Sequence, residues 1–471
     1  MSELKLHSSA QPASGDCTEM QALLAAQKAY YASGATRLTT FRKEMLRKLK
    51  QAIIENDKLI SDALKADLNK HPSETYLCET GLVLEEIEYH LKHLSEWNTS
   101  RRVKTALAQM PGKSYRVPEP YGSVLIMAPW NYPIQLCFMP LIGAISSGNC
   151  AVIKPSAYAP NSSNAVRAVV ESAFPPEYIA VIEGGRDQNK ALLDADFDYI
   201  FFTGSVAVGK TVMEAASSRL IPVTLELGGK SPVILDRTAN LPLAARKIAF
   251  GKVLNAGQTC VAPDYLLIHE SVRDQFIEEY KKVLGEFFPN GDMSDMVHIV
   301  NQKHFDRLCD VLKSGHAEVG GRTDAGSRFI EPTLLTEVKP DSPAMTREIF
   351  GPILPVITYS ELDECISYIN ARPKPLALYL FSQDEPTQMK VLNSCSFGGG
   401  CINDTIMHIA GNSAPFGGVG ASGMGGYHGK QSFDTFTHYR TVLEKNLSLD
   451  VPVRYFPYSE KKDKLTRMIL G

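Results

Sequence analysis

The sequence lacks any stretch approaching the ~20 continuous apolar residues that cross a bilayer, so no membrane span is expected. Its opening, "MSELKLHSSAQPASGDC", has no apolar centre and does not read as a secretory signal. No cysteines show C-x-x-C spacing. The nine present are an odd, scattered set, so neither a disulfide framework nor a zinc site is indicated. That usage fits a reducing compartment, and the cytoplasm is the expected location. Formal net charge is only -3, with no long run of one sign, which argues against nucleic acid or a polybasic membrane site. Internal repeats and low-complexity segments are also missing.

What is there suits a large α/β protein. With 471 residues, 44% of them hydrophobic, the chain can fill more than one core, because single cores stop growing near ~250–300 residues. The first hundred residues read as helices. Thr18 followed by Gln21 fits a capping box. Phe41, Met45, Leu46, Leu49 and Ile53 recur at helical spacing, and Gly34 and Pro72 punctuate the set. This region shows no chemistry, and His90 and His93 read as surface histidines for want of a third ligand.

After Arg101 the pattern changes. A polar stretch broken by Pro111-Gly112 reads as a projecting hairpin. Short apolar runs then alternate with helical stretches: Val124–Met127, Ala151–Ile153, Tyr178–Ile182 and Tyr199–Phe202. Such strand–turn–helix units imply a parallel sheet covered on both faces, with ligands beyond the carboxyl ends of its strands. A second α/β series runs from Val233 to about Phe381.

Two glycine loops compete as phosphate binders. "GVGASG" at 418–423 has the letters of the dinucleotide fingerprint, but no strand precedes it and no acid follows at ~20 positions. "FFTGSVAVGK" at 201–210 follows a strand and opens a helix, where free N–H groups and the dipole favour a phosphate. Its Gly204-to-Gly209 spacing is not the dinucleotide fingerprint, and a P-loop reading of "GKT" is set aside. By itself it is a weak signal beside a plain strand–helix connection.

Two residues carry candidate chemistry. Cys260, in "GQTCVAPDY", lies among glycine, proline and small polar neighbours, where a thiol is presented rather than packed; an inert turn cysteine is the competing reading. Glu226, in "VTLELGGKSP", ends an apolar strand pattern. Partial desolvation there would raise its pKa toward that of a general base, against the alternative of an ordinary strand-edge glutamate. The other cysteines receive no role; Cys137 reads as core, and "CSFGGGC" as a tight backbone approach.

The ordered motifs "PWNYP", "FTGS", "LELGGKSP", "GQTC", "EIFGP" and "PFGGVGASGMG" resemble those of the NAD(P)-dependent aldehyde dehydrogenases, over about Ala25 to Tyr458. "GQTCVAPDY" and the "VRYFPY" tail are similar to the class 3 branch, which includes fatty and aromatic aldehyde dehydrogenases. The resemblance implies a Rossmann-like cofactor domain, an α/β catalytic domain and a small oligomerisation arm. The division expected is 1–225 for the helices and cofactor domain, with the hairpin at 101–118; 226–415 for the catalytic domain; 416–446 for a return segment and oligomerisation strand; and 447–471 for a tail. It further implies Cys260 as nucleophile, and Asn131 with the Cys260 backbone N–H as oxyanion donors. Glu226, 34 positions before Cys260, is implied as the base that brings in water. Cofactor contacts are implied at Lys154, Thr203, Gly204, Ser205, Glu348 and Phe350, with Trp130 packing beside the site.

One departure stands out. Many relatives have a glutamate three residues after the lysine, where it repels a 2′-phosphate; here that position is Ala157. NADP is therefore expected to be accepted alongside NAD. The resemblance also implies a homodimer. Some class 3 relatives carry an apolar C-terminal anchor, but "KKDKLTRMILG" is too short to span, so a soluble protein is expected. A CoA-acylating aldehyde dehydrogenase is a rival that Glu226 speaks against. A non-catalytic descendant of the family is another, opposed by Cys260, Glu226 and Asn131.

Overall fold

The apolar runs after Arg101 become the strands of two parallel sheets in the computed structural model, which describes residues 17–447 and 449–470. In chain order the first nine strands are β1 (Arg101–Val103), β2 (Gly112–Pro120), β3 (Ser123–Met127), β4 (Cys150–Lys154), β5 (Ile179–Val181), β6 (Tyr199–Thr203), β7 (Val223–Glu226), β8 (Pro232–Leu235) and β9 (Tyr265–His269). The first sheet has the order Gly423–Met424, β7, β6, β3, β4, β5, all parallel except the Gly423–Met424 edge. Strands β3, β4 and β6 are buried along their whole length, as a sheet covered on both faces requires.

The second sheet runs His316–Val319, Thr333–Thr336, Ile353–Tyr359, β9, β8, Ala377–Phe381, Gly399–Ile402. The expected second series is thus present and extends past Phe381. In "CSFGGGC" the backbone approach is close, since a Cβ on Gly400 would collide with Leu378 O. A third, three-stranded sheet pairs β1, β2 and Thr437–Lys445, the last two antiparallel over nine residues each. The hairpin anticipated after Arg101 is part of it.

The leading segment is helical. In Thr39–Glu55 the stripe Met45, Leu46, Leu49 and Ile53 is buried and Phe41 partly so. Each such side chain contributes roughly 1.5–3 kcal/mol by leaving water. Two local expectations fail. The helix Cys17–Ala32 already includes Cys17, so Thr18 lies inside it and caps nothing. His90 is fully buried beside Glu86 (Nε2 to Oε1 3.1 Å), not on the surface, because its face of the helix Gly81–Trp97 turns into the core. Among the described residues, no helix is long and apolar enough to cross a membrane.

Candidate active site

The helix Leu241–Val253 ends, and the chain passes through three successive left-handed residues: Asn255 (φ 52°), Ala256 (φ 52°) and Gly257 (φ 66°). Non-glycine residues resist this conformation, so surrounding structure must hold it. A Cβ on Gly257 would collide with Gly351 O. That contact seats the loop against the "EIFGP" segment, and Tyr379 Oη fixes its far side by donating to Val261 O at 2.6 Å. The loop is not the thinly packed turn that its small residues suggested: Ala256, Gln258, Thr259 and Val261 are all buried.

Cys260 keeps a partly exposed surface in this setting. Its dense surroundings push the thiol up to about 12, and the negative charges of Glu348 and Glu226 push the same way; the N–H groups of Cys260 and Val261 oppose them. The resting group is therefore a thiol with two backbone donors beside it. Glu226 closes β7 and is 2% exposed, and neither carboxylate oxygen has a hydrogen-bond partner. Burial raises its pKa well above the carboxylate range. An ordinary strand-edge glutamate would be solvated, so that alternative falls. Asn131 is likewise buried and donates from Nδ2 to Gln258 O at 2.9 Å. An amide nitrogen carries two protons, and this bond uses one.

The implied cofactor residues gather at the carboxyl ends of β4, β6 and β7. Thr203 ends β6, buried, with Oγ1 unpartnered. Gly204 N donates to Glu226 O at 3.0 Å. Exposed Ser205 caps the helix Val206–Ser217, its Oγ accepting from Val208 N at 3.4 Å. Letter by letter, "GSVAVGKT" at 204–211 does satisfy the P-loop pattern, so spacing alone cannot dismiss it. The fold does: the helix starts at Val206, which places Gly209, Lys210 and Thr211 inside its second turn instead of around a phosphate.

Lys154 ends β4, and its buried ammonium donates to Pro155 O at 2.7 Å; burial lowers its pKa to about 8. Ala157 is exposed three residues on. Glu348 is pushed up to about 8 by burial and by Asp264, against the N–H of Gly229 and the cations Lys230 and Arg307. A Cβ on Gly228 would collide with the Glu348 carboxylate, so the "LGG" glycine makes room for that acid. A cavity of about 610 Å³ extends from Val206 past Gly228, Gly229 and Lys230 to Glu348. Phe350 holds a left-handed backbone (φ 49°) and meets Trp130 edge-on at 5.4 Å. The unpartnered Thr203 hydroxyl, the N-terminus of the helix Val206–Ser217 and a cavity lined by Gly228, Gly229 and Lys230 fit a dinucleotide.

Sequence reasoning passed over several residues that shape this site. Tyr132 Oη lies 2.6 Å from Thr259 Oγ1. Gln258 bonds Asn255 O, His298 O and Val300 N through its side chain. Buried Lys70 and Glu79 lie behind Asn131, in the region that had shown no chemistry. The Asn255-Ala256-Gly257 run leading into "GQTC" was the available signal for the left-handed turn; Lys70 and Glu79, nine apart in a polar stretch, gave none.

The chain matches the aldehyde dehydrogenase family model over residues 9–442. It is 51% identical over 438 residues to the 4,4'-diaponeurosporen-aldehyde dehydrogenase of Staphylococcus aureus, covering 92% of this chain and 95% of that protein. It is 43% identical to aldehyde dehydrogenase family 3 member A2 of Mus musculus, over 93% of this chain and 92% of that one. A solved structure of Staphylococcus aureus AldH in its substrate-bound state superposes with TM-score 0.93 at 49% identity, covering 95% of this chain and 99% of that chain. The chain belongs to the aldehyde dehydrogenase family. It has that family's fold and is an oxidoreductase, with family 3 members among its relatives, and the family's cofactor is NAD(P)+.

Proposed function

We propose that this chain oxidises a medium- or long-chain aliphatic or aromatic aldehyde to the carboxylic acid through a covalent intermediate on Cys260. The observation that carries this reading is the convergence of a thiol flanked by two N–H groups, a buried acid with no partner, and a buried amide with a spare proton. The Cys260 thiol gives up its proton to solvent, and the sulfur attacks the carbonyl carbon, breaking the C=O π bond to give a thiohemiacetal anion. Its oxygen accepts from Asn131 Nδ2 and the Cys260 N–H; losing one such donor typically costs about 10²–10³ in rate. NAD(P)+ bound in the cleft would supply the hydride acceptor that oxidises this adduct to a thioester on Cys260. Ionised Glu226 then removes a proton from the water that cleaves it.

Thr203, Gly204 and Ser205 would hold the pyrophosphate, Glu348 and Phe350 the nicotinamide end, and Lys154 the adenosine ribose. Ala157 leaves room for a 2′-phosphate, so both NAD and NADP serve. Trp130, next to Asn131, meets Phe350 edge-on at 5.4 Å, beside the Gly351–Gly257 contact that seats the cysteine loop. This aromatic surround supports an apolar aldehyde, and the relative named for 4,4'-diaponeurosporen-aldehyde supports the large end of the range. We further propose the domain division at 225/226 and 415/416, a cytoplasmic location, and a homodimer. Exposed Val442 and Leu443 on the outer strand of the three-stranded sheet support the last.

The test is mass spectrometry of enzyme quenched during turnover of a C2–C16 aldehyde panel and benzaldehyde. An acyl group on Cys260, absent in Cys260→Ala, is expected; acylation elsewhere would end this reading. Light scattering should give twice the chain mass.

A further inference from the structure

Lys70 and Glu79 are completely buried, with Nζ and Oε1 2.6 Å apart. Burying two charges is expensive, and an apolar pair of the same volume often serves stability as well or better. The contacts of this pair suggest what it does instead. Glu79 Oε2 accepts from the backbone N–H groups of Ile134 and Gln135, each at 3.0 Å. These are amides at the start of the helix Gln135–Ser147, where a carboxylate is favoured. Lys70 Nζ reaches the carbonyl of Asn131 at 3.4 Å and stands 4.5 Å from the centre of the Tyr132 ring. One ion pair thus grips residues 131–135 from behind.

The front of the same loop is tied to the cysteine loop. Asn255 Nδ2 donates to Asn131 O at 2.9 Å and to Gln258 O at 3.0 Å. Asn131 Nδ2 donates to that same Gln258 oxygen, and Tyr132 meets Thr259. Glu74 belongs to the same outer segment and accepts from Asn255 N at 2.8 Å. Just past Glu74 the helix widens into a π turn, Tyr76–Thr80, which carries Glu79; such irregularities are found often at functional sites. The backbone around Asn131 is therefore held between an ion pair on one side and the Cys260 loop on the other, while the side-chain amide of Asn131 bonds Gln258 O of that loop.

We propose that Lys70 and Glu79 are positioning residues that fix the Asn131 amide relative to the Cys260 sulfur, so that the oxyanion donor is in place before the carbonyl arrives. This rests on Asn131 acting as that donor. Neither Lys70 nor Glu79 touches the reacting atoms. Their effect would fall on the acylation step and not on cofactor binding or on the thiol itself.

The test compares Lys70→Met/Glu79→Gln, which leaves no lone buried charge, with Asn131→Ala and with the triple variant. Stopped-flow bursts of NADH formation from hexanal are measured on the full chain. Thermal unfolding, the KM for NAD and the iodoacetamide reactivity of Cys260 are recorded beside them. The double variant should lower the burst rate by about tenfold or more, against about 10²–10³ for Asn131→Ala. KM and alkylation should stay at parental values, and the triple variant should be no slower than Asn131→Ala. Glu79→Asp keeps the charge and withdraws one methylene; should the double variant not fold, its burst must still fall at unchanged KM. A parental burst rate in folded variants, or losses that multiply in the triple variant, overturns the positioning role. If Asn131→Ala itself runs at the parental rate, the oxyanion assignment fails, and the proposal with it.

Discussion

Tyr132 Oη and Thr259 Oγ1 stand 2.6 Å apart and join the Asn131 loop to the residue preceding Cys260. Both residues are buried, so removing one partner leaves the other short of a hydrogen bond, a loss of about 1–3 kcal/mol. Tyr132→Phe is expected to lower the melting temperature and slow the NADH burst several-fold, while Tyr132→Phe/Thr259→Val recovers part of the stability. Calorimetry with stopped-flow kinetics checks this; additive losses would mean that the pair is not a unit.

Burial pushes the Cys260 thiol up to about 12. Only the thiolate alkylates, so iodoacetamide should react slowly at pH 7. The rate should climb about tenfold per pH unit to at least pH 9.5, because the thiolate fraction does. A plateau near pH 8, measured by labelling and peptide mass spectrometry, would contradict so strong an upward displacement.

Glu226 is displaced upward by burial alone. The protonated acid cannot accept a proton from water, so thioester hydrolysis should quicken as pH rises and the carboxylate form grows. Glu226→Gln should give a normal burst followed by steady-state turnover lowered about 10²-fold or more, with the acyl-enzyme accumulating. A Gln variant with parental turnover would remove Glu226 from the reaction.

Ala157 follows Lys154 by three positions at the end of β4. Ala157→Glu should reduce kcat/KM with NADP at least about tenfold, or ~1.4 kcal/mol, and leave NAD within a few-fold. Lys154→Met should weaken NADP more than NAD. A parental preference for NAD above ~100-fold, or ~2.7 kcal/mol, would refute the expectation that both serve.

Gly257 combines a φ of 66° with Gly351 O lying where a Cβ would stand. Gly257→Ala should cost more than the roughly 1–2 kcal/mol of the left-handed conformation alone and displace the cysteine loop. Lower stability together with a loss of burst amplitude is the expected signature.

The sequence exposed those parts of the molecule where local pattern and local chemistry agree. The runs at β3, β4 and β6 were legible because fully buried parallel strands are apolar throughout, and Glu226 because a carboxylate interrupts such a run. The third sheet was half legible: the hairpin showed itself through Pro111-Gly112, but the pairing of β2 with a strand more than three hundred residues later has no local trace. His90 looked like a surface residue because sequence does not show Glu86 turning inward with it. Lys70 and Glu79 stayed hidden for the same reason, since a buried ion pair and a solvated one are spelled alike. The Gly204–Thr211 segment shows the reverse: its letters suit a P-loop, and only the early start of the helix excludes one.

The strand beside Glu226 arrives late. Gly423 pairs with Glu226, 197 positions earlier in the chain (423 − 226). At ribosomal speeds of ~5–20 residues per second, the nascent polypeptide spends roughly 10–40 s with β7 as an uncovered border of its first sheet. A truncated transcript ending before Gly423 would leave that border permanently open, inviting edge-to-edge aggregation.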